Sequence, residues 1–408
     1  MKQMISAEEA INIIIDHTKI LGKEKIFITE ALGRVLAQDI YSPYNIPFAD
    51  NSAMDGYVLK AMDTKGASEN NPAKLKLIGT IPAGKIFHGK INSGEACKIM
   101  TGGIIPEGAD CVARKEICKE ENGFVYIYKE LKPEKDLRKA GEDIKEGELV
   151  LEKGTEITPA VVGVLASIGK SVVYVYKKPK ISILISGDEI ADIDEPLIKG
   201  KVKNSNTYSL IALIKEFGGI PVNCGIIKDN KENLKNAIIE NLNSDIILST
   251  GGVSVGDYDF TKEVIKEVGF NIHFWRLKIK PGKPLLFATY NDKLYFGIPG
   301  NPVSTMVVFY QFIMPAILKM QGFNNIFLPK REAILIEEIN KKDSRREYIR
   351  GILFKKNGKL YVKTTGPQGS GILKSMVKGN CLIEIQEDQL KLEKGSKVIV
   401  YIYGRIKF

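Results

Sequence analysis

Residues 245–260 read DIILSTGGVSVGDYDF, an apolar run that ends in a glycine-rich turn carrying two aspartates. DIIL is short, rich in β-branched residues and bounded by turn formers, so it reads as a buried strand; DFTKEVIKEV beyond the glycines carries helical spacing. The glycines therefore occupy a strand-to-helix turn. At the carboxyl end of a strand in an α/β sheet, such a turn lets backbone N–H groups approach an anion. The neighbouring acids are suited to a cation.

The surrounding sequence repeats the pattern. Between residues 180 and 320 the runs KISILISG, NTYSLIALIKEFGG, PVNCGII, NKENLKNAIIENL, DIILST and DFTKEVIKEV alternate as strand and helix, the order of a doubly wound parallel sheet. KPLLFATY and KLYFGIPG add a hairpin-like pair, and the long apolar helix PVSTMVVFYQFIMPAILKM follows with Pro302 in its first turn. From Arg331 onward, YIRGILF, KLYVKTT, CLIEIQ and SKVIVYIY alternate as short strands, with KNGK as a hairpin turn. Residues 43–138 are rich in Gly, Pro and short β-like runs, whereas their flanks carry helices such as TPAVVGVLASIG. The expected fold class is thus α/β plus β in several domains. A helical linking domain (1–42 and 139–177) holds an inserted β-rich domain (43–138), followed by a doubly wound α/β domain (178–326) and a C-terminal barrel-like β domain (327–408).

A chain of 408 residues suits several domains, and 44% hydrophobic with 26% charged residues is ordinary globular composition. No apolar run is read as a bilayer span, and the N-terminus reads as an amphipathic helix with a Ser6–Glu9 capping box rather than a signal peptide. Five scattered cysteines without a CxxC pair argue against a disulfide framework or structural zinc and for a reducing, cytoplasmic setting. With only three histidines, a divalent ion would be oxygen-ligated Mg²⁺. The net charge of +10 is spread among acids without a basic tail, which favours small anionic ligands over nucleic acid.

Two motifs are rejected. GTIPAGKI (79–86) lacks the hydroxyl of a phosphate loop, because Ile86 stands in its place, and no GxGxxG follows a strand. Three loops carry more information: ISGDE (185–189), STGGVSVGDYD (249–259) and IPGNPVS (298–304) each follow an apolar strand and should meet at one sheet edge. Gly187, Asp188, Gly251, Gly252, Ser254, Pro299 and Asn301 would bind substrate there. Glu189, Asp257 and Asp259 would hold Mg²⁺, as phosphoryl chemistry requires when charge develops on oxygens. LKIKPGKP (277–284) brings Lys278, Lys280 and Lys283 to a Pro-Gly turn, where ammonium groups suit an anion. For each residue a capping or solvated role is the competing reading.

Taken in order, ALGRVLAQDIYSP, NSAMDGY, KIMTGG with IPEGAD, RKAGED, SGDE, STGGVSVGDYDF, KPGKP and IPGNPVS resemble the molybdopterin molybdenumtransferase family, the MoeA proteins and the catalytic domain of gephyrin, over nearly the whole chain. The α/β block by itself is similar to the Mog-like molybdopterin-binding domain shared with the adenylyltransferase of the preceding step. The resemblance implies an elongated four-part subunit and a homodimer whose cleft is completed by the partner's inserted domain. It implies that adenylylated molybdopterin and molybdate react, with Mg²⁺, to give molybdenum cofactor and AMP, and that the upstream adenylyltransferase is a possible partner. By position, Asp55, Thr101, Arg138 and Asp143 match polar cleft residues, Glu189 and Asp259 match required acids, and Lys280 and Lys283 match the basic turn. Lys283, Ser304, Arg345 and Ser370 would contact molybdate, with Arg346 and Arg350 as rivals to Arg345. Arg276 stands where many relatives have lysine. Tungstate in place of molybdate, or a non-catalytic scaffold, are the alternatives.

Overall fold

The computed structural model describes residues 2–251 and 260–406. The chain forms two compact units, one of Met1–Ile26, Gly33–Ala37 and Tyr174–Phe408, the other of Phe27–Leu32 and Gln38–Val173.

In the first unit, a seven-stranded sheet starts at one edge with the parallel strands Ile220–Ile227, Lys180–Ser186, Ile246–Thr250 and Lys293–Ile298, in that spatial order. The two central strands are buried almost along their whole length, so they read as continuous apolar runs rather than alternating ones. Leu286–Tyr290 and Asn271–Leu277 continue the sheet in antiparallel fashion, which confirms the hairpin-like pair and makes the sheet mixed. Two strands of this sheet were not foreseen: Asn271–Leu277 itself, and Lys2–Ile5, which adds to it in parallel. The helix Ala7–His17, begun by the Ser6 hydroxyl accepting from the Glu9 N–H, buries Ala7, Ala10 and Ile14 in the same core. Residues 2–17, expected in the helical linking piece, therefore belong with the α/β sheet.

Pro302–Met320 is a continuous helix with one turn of π-helix at Phe309–Ile313. It is apolar and long enough to cross a bilayer, against the expectation from sequence, but most of it is buried inside the protein. It is the central core helix of this unit. Its residues share one core with Tyr348, Leu382 and Tyr401 of the C-terminal strands.

Those strands close on themselves. Arg346–Lys356, Lys359–Thr364, Lys330–Leu335, Lys397–Ile402 and Cys381–Ile385 pair in a ring, each with the next and the last with the first, forming a five-stranded barrel. The expected KNGK turn is present, with Asn357 and Gly358 both at positive φ as a two-residue hairpin turn requires. A short strand, Ile279–Lys280, pairs in parallel with the start of Arg346–Lys356, setting Lys280 opposite Glu347.

The second unit is built on a six-stranded sheet in the order Cys111–Arg114, Gly56–Leu59, Glu95–Ile99, Ala73–Ile81, Phe124–Ile127, Cys118–Glu121. Its helix Pro159–Ser167 is capped by the Thr158 hydroxyl and begins with Pro159.

Candidate functional site

The carboxyl ends of Lys180–Ser186, Ile246–Thr250 and Lys293–Ile298, adjacent strands, open into one cavity of about 680 Å³. Gly187, Glu189, Gly251 and Asn301 line it, together with Ser186, Thr250 and Gly300, so the three loops do converge. Gly252, Ser254, Asp257 and Asp259 lie outside the described residues. The bare backbone at Gly251 answers first to packing: φ is +92°, and a Cβ there would sit 2.5 Å from Ser186 Oγ and 2.6 Å from Ser186 O. Gly187 (φ +148°) is constrained likewise, since its Cβ would meet the Glu189 carboxylate at 2.8 Å.

Two residues expected at substrate, Pro299 and Asp188, do not line this cavity. Pro299 is buried and its carbonyl accepts from Thr305 Oγ1 at 2.6 Å, so it fixes the turn rather than lining the cavity. The exposed side chain of Asp188 accepts from the Asp229 N–H at 3.4 Å, and its carbonyl accepts from Lys201 Nζ.

Two residues were missed by sequence reasoning. Asp229, just beyond Ile220–Ile227, lines the cavity with a buried Oδ1 that has no hydrogen-bond partner. Burial raises its pKa, and Asp188 and Glu189 add to the rise. The signal available was its place after a parallel strand, in IIKDN. Asn206 opens the helix Ser205–Glu216; its Nδ2 donates to Gly300 O at 2.8 Å, holding the third loop, while its buried Oδ1 is unpartnered.

A second cleft of about 600 Å³ lies between the Pro-Gly turn and the barrel, lined by Lys280, Lys283, Ser304, Arg345, Arg350 and Ser370 among others. All four residues expected at molybdate line it. Lys278 does not: its side chain is exposed, while its main chain bonds Ile5 O and the Arg346 N–H. The three candidate arginines separate by their partners. Arg345 is gripped by Asp343, Nε to Oδ1 at 3.1 Å and Nη2 to Oδ2 at 2.7 Å, which holds the Asp343 carboxyl down to about 2. Arg346 is shared among Glu8, Glu384, Gln386 and Glu387 and does not line the cleft.

Arg350 differs. It is 1% exposed and donates only to neutral acceptors, Ser375 Oγ and Gly369 O, both at 3.1 Å; among the described residues it forms no ion pair. Burial pulls its pKa down to about 10. Glu347, in the lining of the same cleft, favours its charge from beyond ion-pair distance; a guanidinium desolvated without a paired carboxylate is costly, and an oxyanion entering the cleft would relieve that cost. Lys280, by contrast, is engaged by Glu347 at 2.8 Å, while the Lys283 ammonium makes no ion pair among the described residues.

The two cavities share a wall. Asn301 and Pro302 face the first and Ser304 the second; Gly371 faces the first and Ser370 the second. The Val303 N–H donates to Ser370 O at 3.1 Å, joining the two segments.

In the second unit, Asp55 and Thr101 are brought together: the carboxylate accepts from both the N–H and Oγ1 of Thr101 at 2.8 Å, and these bonds lower its pKa. Arg138 is exposed on Leu137–Arg138, paired with Asn51–Ser52. Asp143 is exposed, its N–H donating to Ile46 O. Gly56 in NSAMDGY admits no side chain, since a Cβ would lie 1.9 Å from Ala113 O.

Comparison with known proteins agrees across the chain. Family profiles match in order: MoeA N-terminal region (domain I and II) over residues 5–169, Probable molybdopterin binding domain over 182–319, and MoeA C-terminal region (domain IV) over 332–403. Similar sequences include the molybdopterin molybdenumtransferases of Haemophilus influenzae, 35% identical over 94% of each chain, and of Nostoc, 33% identical over 97% of this chain and 93% of that one. The crystal structure of a molybdopterin biosynthesis MoeA protein from Pyrococcus horikoshii matches with a TM-score of 0.84 at 34% identity, covering 98% of this chain and all of the other. By sequence along nearly its whole length and by fold, this chain belongs to the MoeA family of molybdopterin molybdenumtransferases, transferases of molybdenum cofactor biosynthesis.

Proposed function

We propose that the chain inserts molybdate into adenylylated molybdopterin with release of AMP. The observation that carries this reading is the pair of cavities sharing the wall of residues 301–304 and 370–371. One has glycine-rich strand ends and carboxylates, fitting a phosphoanhydride; the other has a buried guanidinium without an ion pair among the described residues, with lysine and serine donors, fitting a tetrahedral oxyanion. Their contiguity would set the oxyanion beside the organic substrate, which is most of what positioning must achieve.

In this reading Arg350 and Lys283 supply charge to the oxyanion, and Ser304 and Ser370 supply hydroxyl donors. Arg345 contributes only as far as it is released by Asp343. Lys280, oriented by Glu347, stands at the same cleft. Hydrogen bonds from Gln368 fix the Arg350 main chain: Oε1 accepts from the Arg350 N–H at 2.9 Å and Nε2 donates to its carbonyl at 3.3 Å.

Mg²⁺ fits the first cavity by its donors. Asp229 presents an orphaned buried oxygen beside Glu189, hard ligands of the type the ion takes, although the described residues do not form a ready three-ligand cluster. When bound, the ion would neutralise charge on the phosphate oxygens. Asp257 and Asp259 are further candidates by sequence.

A homodimer in which Asp55, Thr101, Arg138 and Asp143 of one chain serve the cleft of the other is part of this proposal. Supporting it, these four lie in the unit that holds neither of the two cavities described above. The deciding experiment incubates purified protein with adenylylated molybdopterin, Mg²⁺ and molybdate or tungstate, following AMP release and metal content of the pterin. AMP release with metal incorporation is expected; binding of the pterin with neither would reduce the chain to a scaffold.

A further inference from the structure

We propose that Lys341 is a positioning residue of the oxyanion cleft, an internal cation that holds the rim segment carrying Lys342 and Arg345. This rests on the oxyanion reading of that cleft. Lys341 is 7% exposed, and its ammonium donates to three main-chain carbonyls: Arg345 O and Glu387 O, each at 3.0 Å, and Gln386 O. No carboxylate of a described residue touches it at ion-pair distance; burial works against its charge, and Glu347, Glu387, Asp343 and Asp388 offset part of that. Three carbonyls converging on one ammonium resemble the shell of a monovalent cation.

The connectivity gives the arrangement its consequence. Lys341 follows the short strand Ile339–Asn340, and its own N–H donates to Leu390 O at 2.8 Å. Between this point and Arg346, whose N–H reaches Lys278 O, the Arg345 carbonyl is the main-chain group tied across the loop among the described residues, and Lys341 ties it. The Asp343–Arg345 pair lies within the segment and shapes the loop, and the Asp343 carboxylate, 3.9 Å from Lys280 Nζ, adds a longer side-chain tie to the Pro-Gly turn. Both Lys342 and Arg345 line the cleft. Removing the ammonium takes the Lys341 donor from the part-buried Arg345 and Glu387 carbonyls and leaves Gln386 O with the Gln389 N–H alone, a drive for the loop to move toward water.

The test uses the full-length protein, with molybdate alone as probe in calorimetry and amide exchange over residues 342–346. Lys341→Ala should weaken molybdate binding about tenfold, the size of one lost charge-assisted bond, and speed exchange of Arg345 and Arg346. Methylammonium, which can enter the vacated space, should restore both; tetramethylammonium at equal ionic strength should restore neither. Parental affinity and exchange in Lys341→Ala would overturn the proposal, as would a loss that both amines, or neither, reverse. Should that variant fail to fold, Lys341→Gln, which keeps two N–H donors, is read in the same way, intermediate affinity being expected. If the parental protein binds no molybdate, the oxyanion reading falls, and the clamp is judged on exchange and its methylammonium rescue alone.

Discussion

Arg350 Nε donates to Ser375 Oγ at 3.1 Å, and this neutral hydroxyl takes the place where a buried guanidinium ordinarily meets a carboxylate. Arg345, five residues earlier, is by contrast fully chelated by Asp343. Arg350→Gln should therefore weaken molybdate binding roughly 10- to 150-fold, the range of a charged hydrogen bond of about 1.5–3 kcal/mol. Arg345→Gln should weaken it less than about fivefold. Calorimetric titration with molybdate distinguishes them, and equal losses would return Arg345 to equal standing.

Asp229 is held in a like-charged, partly desolvated corner with Asp188 and Glu189, which raises its pKa in the folded state. Its ionisation therefore costs stability at every pH above that raised value, and the cost vanishes as the pH falls below the unfolded value. Asp229→Asn should raise the melting temperature by about 2 °C at pH 8 without Mg²⁺. The gain should disappear near pH 4. Added Mg²⁺ should raise the melting temperature of the parent more than that of the variant; the reverse order would exclude Asp229 as a ligand.

His273 packs with its ring centroid 3.9 Å from that of His17 and bonds Thr289 Oγ1 through Nε2 at 2.8 Å. Burial, with the His17 charge, lowers its pKa to about 4. The unfolded imidazole takes its proton near 6.5, so stability contributed by the neutral ring is complete above that value and declines as the pH falls toward about 4. The unfolding free energy from urea titration should fall between pH 7 and pH 5 by on the order of 1 kcal/mol, discounted because the ring is partly exposed. His273→Gln should flatten this decline; an unchanged slope would assign it to other groups.

Asp55 and Arg350 lie in different units of the chain. If each site combines Asp55 of one subunit with Arg350 of the other, Asp55→Asn and Arg350→Gln proteins should each be inactive alone. Mixed by unfolding and refolding together, they should recover about a quarter of parental sites, because half the random dimers carry one intact site. Absence of recovery, with heterodimers shown by mass spectrometry, would place both residues in one subunit's site.

The sequence by itself determined the strand–helix alternation between residues 180 and 320, the KNGK hairpin and the Ser6 cap, because each depends on local chemistry: periodicity, left-handed turn residues, a hydroxyl beside free N–H groups. It also marked the glycine loops, since a parallel strand that ends in Gly must turn at the sheet's carboxyl edge. Tertiary structure decided the rest. Lys2–Ile5 is too short and polar to announce itself, and becomes a strand only against the open edge of Asn271–Leu277. Asp229 and Asn206 carry no motif; their role comes from the adjacency of Ile220–Ile227 to Lys180–Ser186 and from the Asn206 bond to Gly300. Among Arg345, Arg346 and Arg350, spacing gives no ranking, because what separates them is which carboxylates stand within reach. Asp343, Glu8 and Glu384 neutralise the first two, and Glu8 and Glu384 reach Arg346 only through folding, which leaves Arg350 buried and without an ion pair among the described residues.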